Sequence, residues 1–289
     1  MNNGSRIVIY FVLLQKITTK MLKFISFGSG SSGNCYYLYT EKEGLIIDIG
    51  VGIRTLKKQF RDFGLSLSSI HYVLITHDHA DHIKSVGSIS HECRLPVYAT
   101  KNVHDGIDRN FCVTRKLAPD MKRMVTVGKQ LQLGDFRVTP FYVPHDATEN
   151  VGYEIVADGV TFCIITDVGE ITDEVRTFIS HADYLVIEAN HDVEMLMQGP
   201  YPQHLKERIQ SKTGHLCNRD CGVAIAENMK ESLKHVWLCH LSEENNHPEL
   251  ARKTVESVLR EYGIIAGKDI QLEVLKRKTP TGIFELTDD

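Results

Sequence analysis

The chain has 289 residues, 42% of them hydrophobic and 24% charged, which is enough apolar material for a substantial core. A formal net charge of -4 and a pI near 6.4 exclude a globally basic surface, so nucleic acid would have to be held by local groups or through metals. The seven cysteines are odd in number and scattered, which argues against a secreted disulfide framework and favours a cytoplasmic protein.

The first twenty residues differ from the rest of the chain. They contain an apolar run, Ile7 to Leu14, that is too short to span a bilayer. No cleavage site of the A-x-A kind follows it, which argues against a signal peptide. Met21 then begins a clean strand pattern. We therefore expect residues 1–20 to be an extension from an upstream start codon and residues 21–289 to form the folded domain, with no contact to a membrane.

Three strands are predicted within thirty residues, at 22–27, 35–39 and 45–50, and short turns join them into an antiparallel meander. The glycine- and serine-rich turn at 28–34 lacks the Gly-Lys-Ser/Thr ending of a P-loop and leads into a strand, so we interpret it as a tight turn. Asp48 closes the third strand. A carboxylate there needs a partner, and we predict that it supports a metal-binding histidine from behind.

An amphipathic helix is predicted at 52–63, and the central motif of the chain follows it. An apolar strand at 72–75 leads into His-Asp-His-Ala-Asp-His, and apolar residues at helical spacing begin near Asp81. At this strand-to-helix turn His77 and His79 can enter one metal's coordination sphere, while Asp81 and His82 can enter a second. Because strand, ligand spacing and helix start agree, we favour two adjacent metal ions over a histidine-rich surface turn or one incidental zinc.

Later strands repeat the pattern of an apolar run that ends in a potential ligand. The terminal residues of these runs are His145, Asp167, Glu188 and His240. In layered α/β folds, strand ends along one edge of a sheet line a shared cleft. Helical patterns alternate with these strands, at 173–180, 203–212, 219–233 and 248–262. This order fits two sheets with outer helices in one compact domain of two structurally similar halves.

With these residues in hand, the chain resembles the metallo-β-lactamase-fold hydrolases from Met21 to its C-terminus. The resemblance implies an α/β fold, a four-layer αββα sandwich of two mixed sheets with outer helices. A closer resemblance, through residues 28–34, 188–192, 214–218 and 240–248, is to the YycJ/WalJ-like branch. It implies two divalent metal ions per chain, their identity open among Zn, Mn, Fe and Ni. Metal one would take His77, His79 and His145, metal two would take Asp81, His82 and His240, and Asp167 would bridge them.

That branch is associated with nuclease activity on DNA, so the resemblance implies a two-metal phosphodiesterase, a nuclease resembling 5′–3′ exonucleases, with DNA favoured over RNA. His215 resembles the non-ligand catalytic histidine of the tRNase Z and cyclic phosphodiesterase relatives, and we predict that it is the general acid. Glu188 either acts on His215 electrostatically or is a plain strand-end carboxylate. Asp81 is predicted to be a catalytic residue as well as a ligand of metal two. Substrate contacts are predicted at Ser32, Asn34, Asn190 and His191.

Two other functions stay open at this stage. A thioester or other small-molecule hydrolase could use the same dinuclear site without needing an acid for a poor leaving group. A non-catalytic binding protein could keep the fold as a scaffold, but it should tolerate ligand loss, and all seven ligand positions are filled. Basic groups at 57–61 and 276–278 either contact a nucleic-acid backbone or form solvated surfaces. The sequence leaves the oligomeric state open.

Overall fold

The computed structural model describes residues 21–288, so the predicted extension at 1–20 lies outside the described residues. Two mixed seven-stranded sheets form the centre of this part of the chain. The first sheet has the spatial order β14-β1-β2-β3-β4-β5-β6. Its strands are β1 (Leu22–Gly28), β2 (Cys35–Tyr39), β3 (Gly44–Ile47), β4 (Ile70–Leu74), β5 (Val97–Ala99), β6 (Lys122–Met124) and β14 (Phe284–Leu286).

The second sheet has the spatial order β13-β12-β11-β10-β9-β8-β7. Its strands are β7 (Leu131–Leu133), β8 (Phe136–Tyr142), β9 (Val151–Ala157), β10 (Val160–Ile165), β11 (Tyr184–Glu188), β12 (His235–Cys239) and β13 (Gln271–Val274). The strands β1 to β3 are antiparallel, as predicted for the meander, while β3 to β6 and β10 to β13 are parallel.

Helices cover the outer face of each sheet. The first sheet carries α1 (Ile53–Asp62), α2 (Ala80–Ile83), α3 (Val86–Cys93) and α4 (Lys101–Arg109), and the second half of the chain contributes α5 (Asp173–His181), α6 (Val193–Gln198), α7 (Gln203–Ile209), α8 (Asn218–Asn228) and α9 (Pro248–Glu261). Single 3-10 turns occur at Leu67–Ser69 and Pro119–Met121. One apolar cluster lies between the sheets and one beneath each helical layer, which confirms the predicted four-layer αββα sandwich.

Aromatic side chains join the two sheets. Phe24 on β1 lies with its ring centroid 4.8 Å from that of Trp237 on β12 and 5.0 Å from that of Phe162 on β10. All three side chains are fully buried, so their large apolar areas stabilise the contact between the sheets. On the outer side, Phe60 of α1 stacks on Phe27 of β1 at 4.8 Å, which fixes the amphipathic helix against the first sheet.

The predicted helix that starts near Asp81 is wrong as one continuous helix, because the structure breaks it at Lys84 and Ser85. The carbonyl of Asp81, which would accept the helical bond from Ser85, instead accepts a bond from Asn34 N at 2.7 Å. Ser85 N donates to Ile49 O at 2.9 Å. The strands β9, β13 and β14 and the short helix α6 were not predicted.

Within residues 21–288, no helix is both long and apolar enough to cross a membrane.

Acid is expected to destabilise the fold through His235 at the start of β12. Its ring stacks on Trp237 at a centroid distance of 4.0 Å, and burial lowers its pKa to about 4. The unfolded chain, with an ordinary pKa of about 6.5, therefore binds the proton more readily. The stability contribution is complete above about pH 6.5 and is lost as the pH falls toward about 4, an effect of about 3 kcal/mol.

Urea unfolding of chelator-treated protein at pH 7 and pH 4.5 measures this loss. His235→Phe keeps the stacked ring but cannot be protonated, so it should lose less stability over the same pH interval. The exposed His204 supplies the control, since His204→Gln should retain the wild-type pH dependence. Equal losses in wild type and His235→Phe would contradict the assignment to His235.

Candidate metal centre

The predicted ligands gather at one edge of the two sheets. The motif His77–His82 follows β4, while His145, Asp167 and His240 follow β8, β10 and β12. The strands β10, β11 and β12 run parallel, so their carboxyl ends meet at the same edge. Four groups of potential ligands have donor atoms within 4.8 Å of one another. These groups are His77-His79-His145, Asp81-His82-His240, His77-His82-Asp167 and Asp167-Glu188-His215-His240.

Two of the four groups are the triplets that the resemblance assigned to metal one and metal two. Asp167 occurs in the other two groups, which include members of both triplets. Its carboxylate oxygens lie 3.3 Å from His82 Nε2, 3.7 Å from His145 Nε2 and 3.2 Å from His240 Nδ1. The structure brings all seven predicted ligands together, and their binding of metal stays a prediction.

Hydrogen bonds behind the histidines orient their rings. His82 Nδ1 lies 2.7 Å from Asp48 Oδ2, His145 Nδ1 lies 2.9 Å from Gly214 O, and His240 Nδ1 lies 2.9 Å from Glu188 Oε1. Each acceptor pairs with Nδ1 and so turns Nε2 into the cluster, where this nitrogen can bind a metal in place of a proton. Asp48 also accepts bonds from Thr76 N and Thr76 Oγ1 at 2.9 and 2.8 Å.

Three residues of the centre adopt left-handed backbone conformations where their strands end. The φ angles are 58° at Asp48, 55° at Asp167 and 51° at His240. For residues with a side chain this region costs about 1–3 kcal/mol each, and such strain concentrates at functional sites. Local bonds offset the cost at His240, whose N–H donates to Ser29 Oγ at 2.9 Å, and at Asp167, whose carbonyl accepts a bond from Asn150 at 2.8 Å.

The donor set fits a divalent cation. His77 is fully buried, and its Nε2 has no hydrogen-bond partner within the described part of the chain, a costly arrangement that a metal ion would satisfy. The carboxylates also create a strongly negative field. Burial lowers the pKa of His82, but Asp167, Asp48 and Asp81 outweigh that effect and raise it to about 10. The same field favours a bound cation.

His215 lies at the rim of this cluster, and its side chain is 18% exposed. Its Nδ1 lies 2.7 Å from Glu188 Oε1, and its ring centroid is 4.9 Å from that of His145. Burial opposes protonation of His215, but the Glu188 carboxylate raises the pKa of His215 above its usual value. Glu188 is fully buried, which raises its pKa, yet His215 and His240 bring the pKa of Glu188 down to about 2. Glu188 is therefore ionised and holds both histidines.

The four predicted substrate contacts lie in different surroundings. Ser32 is exposed, whereas the other three are at most 6% exposed: Asn34, Asn190 and His191. Asn34 Nδ2 lies 3.2 Å from Asp81 Oδ2 and 2.9 Å from His82 Nε2, so Asn34 supports the ligands from within. Asn190 donates to His240 O at 2.9 Å. The Nδ1 atom of His191 is buried without a partner among the described residues, and burial lowers the pKa of this ring to about 4.

Sequence reasoning missed two supports of the centre. The loop at 28–34 does more than turn the chain, because Ser29 Oγ holds His240 N and lies 3.0 Å from Tyr36 OH. Asp146 lies with Oδ1 3.4 Å from His145 Nε2, and its other oxygen pairs with Arg208. The position of Asp146 directly after His145 was a signal that sequence reasoning could have used. The contact between Ser29 and His240 has no such signal in the sequence.

Comparison with known proteins relates this geometry to a family. Residues 45–240 match the sequence profile of the family described as Beta-lactamase superfamily domain. The chain is 36% identical over 262 residues to Exodeoxyribonuclease YycJ of Bacillus anthracis, covering 91% of this chain and 98% of that protein. It is 33% identical over 264 residues to Exodeoxyribonuclease WalJ of Streptococcus pneumoniae, with coverage of 91% and 98%.

Solved structures share the fold at lower sequence identity. The metallo-beta-lactamase fold protein YhfI from Bacillus subtilis superposes with a TM-score of 0.68 at 18% identity, covering 92% of this chain and 100% of that one. Zn(2+)-bound PqqB from Methylobacterium extorquens superposes with a TM-score of 0.69 at 15% identity, with coverage of 90% and 99%. At these identities the likeness supports the architecture alone.

Proposed function

The chain belongs to the beta-lactamase superfamily, in its YycJ/WalJ-like branch of metal-dependent hydrolases, and from this membership we propose that it is a two-metal exodeoxyribonuclease that degrades DNA from the 5′ end. The observation that carries the proposal is the pairing of an ionised Glu188 with His215 beside the converging ligand groups. A phosphodiester has a poor alkoxide leaving group, and this pair supplies the acid that such a group requires. The near full-length relatives named exodeoxyribonucleases support DNA as the substrate.

In this proposal His77, His79 and His145 would hold one divalent ion, Asp81, His82 and His240 would hold the other, and Asp167 would serve both. When bound, such a pair of ions generates a nucleophile from water near neutral pH and neutralises charge on the phosphate oxygens. Zn, Mn, Fe and Ni all suit imidazole and carboxylate ligands. Asp48 holds His82 from behind, and Asn34 holds Asp81 from within the cluster.

His215 supplies the proton. Its Nδ1–H donates to Glu188, so Nε2 is the ring atom that carries the proton given to the substrate. As the bond from phosphorus to the leaving oxygen breaks, that oxygen takes the Nε2 proton, and His215 becomes neutral. Glu188 raises the pKa of His215 above its usual value, which favours the protonated ring before the step. Ser32, exposed at the same loop that holds His240, is the proposed substrate contact.

A cytoplasmic location is part of the proposal. All seven cysteines are free, and five of them are buried. Free thiols in these numbers suit a reducing compartment, where a DNA substrate is also present.

Hydrolysis by protein reconstituted with Mn or Zn tests the proposed function. Wild type should cleave bis(p-nitrophenyl) phosphate and should release labelled mononucleotide early from 5′-labelled duplex DNA. A His79→Ala control should lose both activities because a metal ligand is gone. Fully metal-loaded protein that cleaves neither phosphodiester but turns over a thioester would contradict the nuclease and support the alternative hydrolase.

A further inference from the structure

A separate pocket of about 350 Å³ lies beside the metal centre, between the starts of α1 and α3. Gly52 and Ile53 line one side, and Lys84 and Ser85 line the other. Hydrogen bonds join its walls to the metal-binding turn, because Ile49 N donates to His82 O at 2.7 Å and Ser85 N donates to Ile49 O at 2.9 Å. The pocket is therefore rigidly coupled to a predicted metal ligand.

Two helix N-termini meet at this pocket without side-chain caps. Gly52, which precedes the ten-residue α1, has no side chain to cap it, and the side chain of Ser85, which precedes the eight-residue α3, forms no capping bond. The first-turn N–H groups of a helix have no acceptor within that helix, and its dipole places partial positive charge there. Together these features favour an anion in the space between the two helices.

The Ser85 hydroxyl is an independent sign of a ligand. Ser85 is only 4% exposed, lines the pocket, and has no hydrogen-bond partner for its Oγ among residues 21–288. Without a partner in that range, the hydroxyl is available to donate a hydrogen bond to an anion oxygen in the pocket. Thr55, Ser88 and Thr114 add three further hydroxyl groups to the lining.

The charge of the pocket favours a phosphate. Lys84 and Arg54 line it, and no acidic residue does. Over the described range, neither cation has an ion-pair partner. By contrast, the basic residues further along α1 are engaged, Lys57 with Glu92 and Lys58 with Asp62. The two unpaired cations are thus available to a ligand.

An exposed aromatic ring next to the pocket favours a nucleotide over a free phosphate. Phe111 is 89% exposed, and the next residue, Cys112, lines the pocket. The loop is fixed to the metal motif, because Asn110 Nδ2 donates to Asp78 O at 2.9 Å. Single-stranded nucleic acid is commonly held by a positively charged groove together with an aromatic ring on which a base stacks.

We propose that this pocket binds one backbone phosphate of the DNA strand being degraded, while a base next to that phosphate stacks on Phe111. The site deepens the proposed function and rests on it. It aligns the strand with the metal centre through a contact outside the reacting phosphate. The pocket therefore contributes to DNA binding and does not take part in the chemical step.

Steady-state kinetics on a labelled oligonucleotide tests the pocket. Arg54→Gln combined with Lys84→Gln should raise KM by at least about tenfold and leave kcat unchanged. The slope of log KM against log salt should fall by about 0.7–0.9, as expected when the contact to one phosphate is lost. Hydrolysis of bis(p-nitrophenyl) phosphate, which is too small to reach the pocket, should be unchanged and also reports intact folding. Ser85→Ala and Phe111→Ala should each raise KM for the oligonucleotide by several-fold.

A matched control removes the same charge from the same helix. Lys58→Gln combined with Arg61→Gln should leave KM near the wild-type value. An equal rise in KM would overturn the pocket and would indicate general electrostatic attraction instead.

Oligonucleotides that carry a single uncharged methylphosphonate identify which backbone phosphate the pocket binds. At one position the substitution should raise KM for wild type but not for the Arg54/Lys84 variant. If wild type degrades DNA and the Arg54/Lys84 variant equals it, this inference alone fails; if wild type degrades no DNA, the proposed function fails first.

Discussion

Replacing Asp167 by asparagine is expected to remove bound metal and to lower hydrolysis of every phosphodiester by at least about 10³-fold. The carboxylate lies within 3.7 Å of His82, His145 and His240, so it reaches both predicted ligand triplets. A two-metal site contributes several kcal/mol of transition-state stabilisation, and each 1.36 kcal/mol is worth about tenfold in rate. Asparagine tolerates the left-handed backbone of residue 167, so the change removes charge without adding strain.

Metal content per chain after dialysis, measured by mass spectrometry, and the rate on bis(p-nitrophenyl) phosphate give the two readouts. Asp120→Asn, at an exposed turn distant in the fold from the ligand cluster, is the matched control and should keep both wild-type values. Wild-type metal content together with wild-type rate in Asp167→Asn would show that this carboxylate is not a ligand. Unfolding by urea separates metal loss from loss of the fold.

Replacing His215 by alanine is expected to lower kcat on DNA by about 10²–10⁴-fold, the usual contribution of a positioned general acid. The loss should be far smaller on bis(p-nitrophenyl) phosphate, because nitrophenolate leaves without needing a proton. Metal content should stay at the wild-type value, since His215 is outside both predicted ligand triplets. The ratio of the two rate losses is therefore the measurement that identifies an acid.

Glu188→Gln tests the partner of His215. It keeps the shape of the side chain but removes the charge that holds His215 and His240. Glu188 raises the pKa of His215, so His215 should lose its proton at a lower pH in the variant. As the pH is raised, the rate on DNA should therefore begin to fall at a lower pH in the variant than in wild type.

One outcome would contradict the acid role of His215. Equal rate losses of His215→Ala on DNA and on bis(p-nitrophenyl) phosphate would instead indicate that this ring positions the metal ligands.

Much of the architecture was predictable from local sequence. The predicted bounds of β2, α5 and α9 agree with the structure to within one residue, because strand and helix periodicities are local properties. The predictions failed where a tertiary contact overrode the local pattern. At Asp81, a bond from Asn34 takes the carbonyl that a continuous helix would have used. The short edge strands β13 and β14 have too few residues for a periodic signal.

The chemistry of the candidate site divides in the same way. The sequence by itself determined which side chains can bind metal and that they stand at strand ends, because His77, Asp167 and His240 each follow an apolar run. Only the tertiary structure decided which groups hold them. Ser29 meets His240 across 211 positions, and Asp48 meets His82 across 34. The pocket between α1 and α3 likewise arises from packing, since distances between residues remote in the chain are set by how sheets and helices pack.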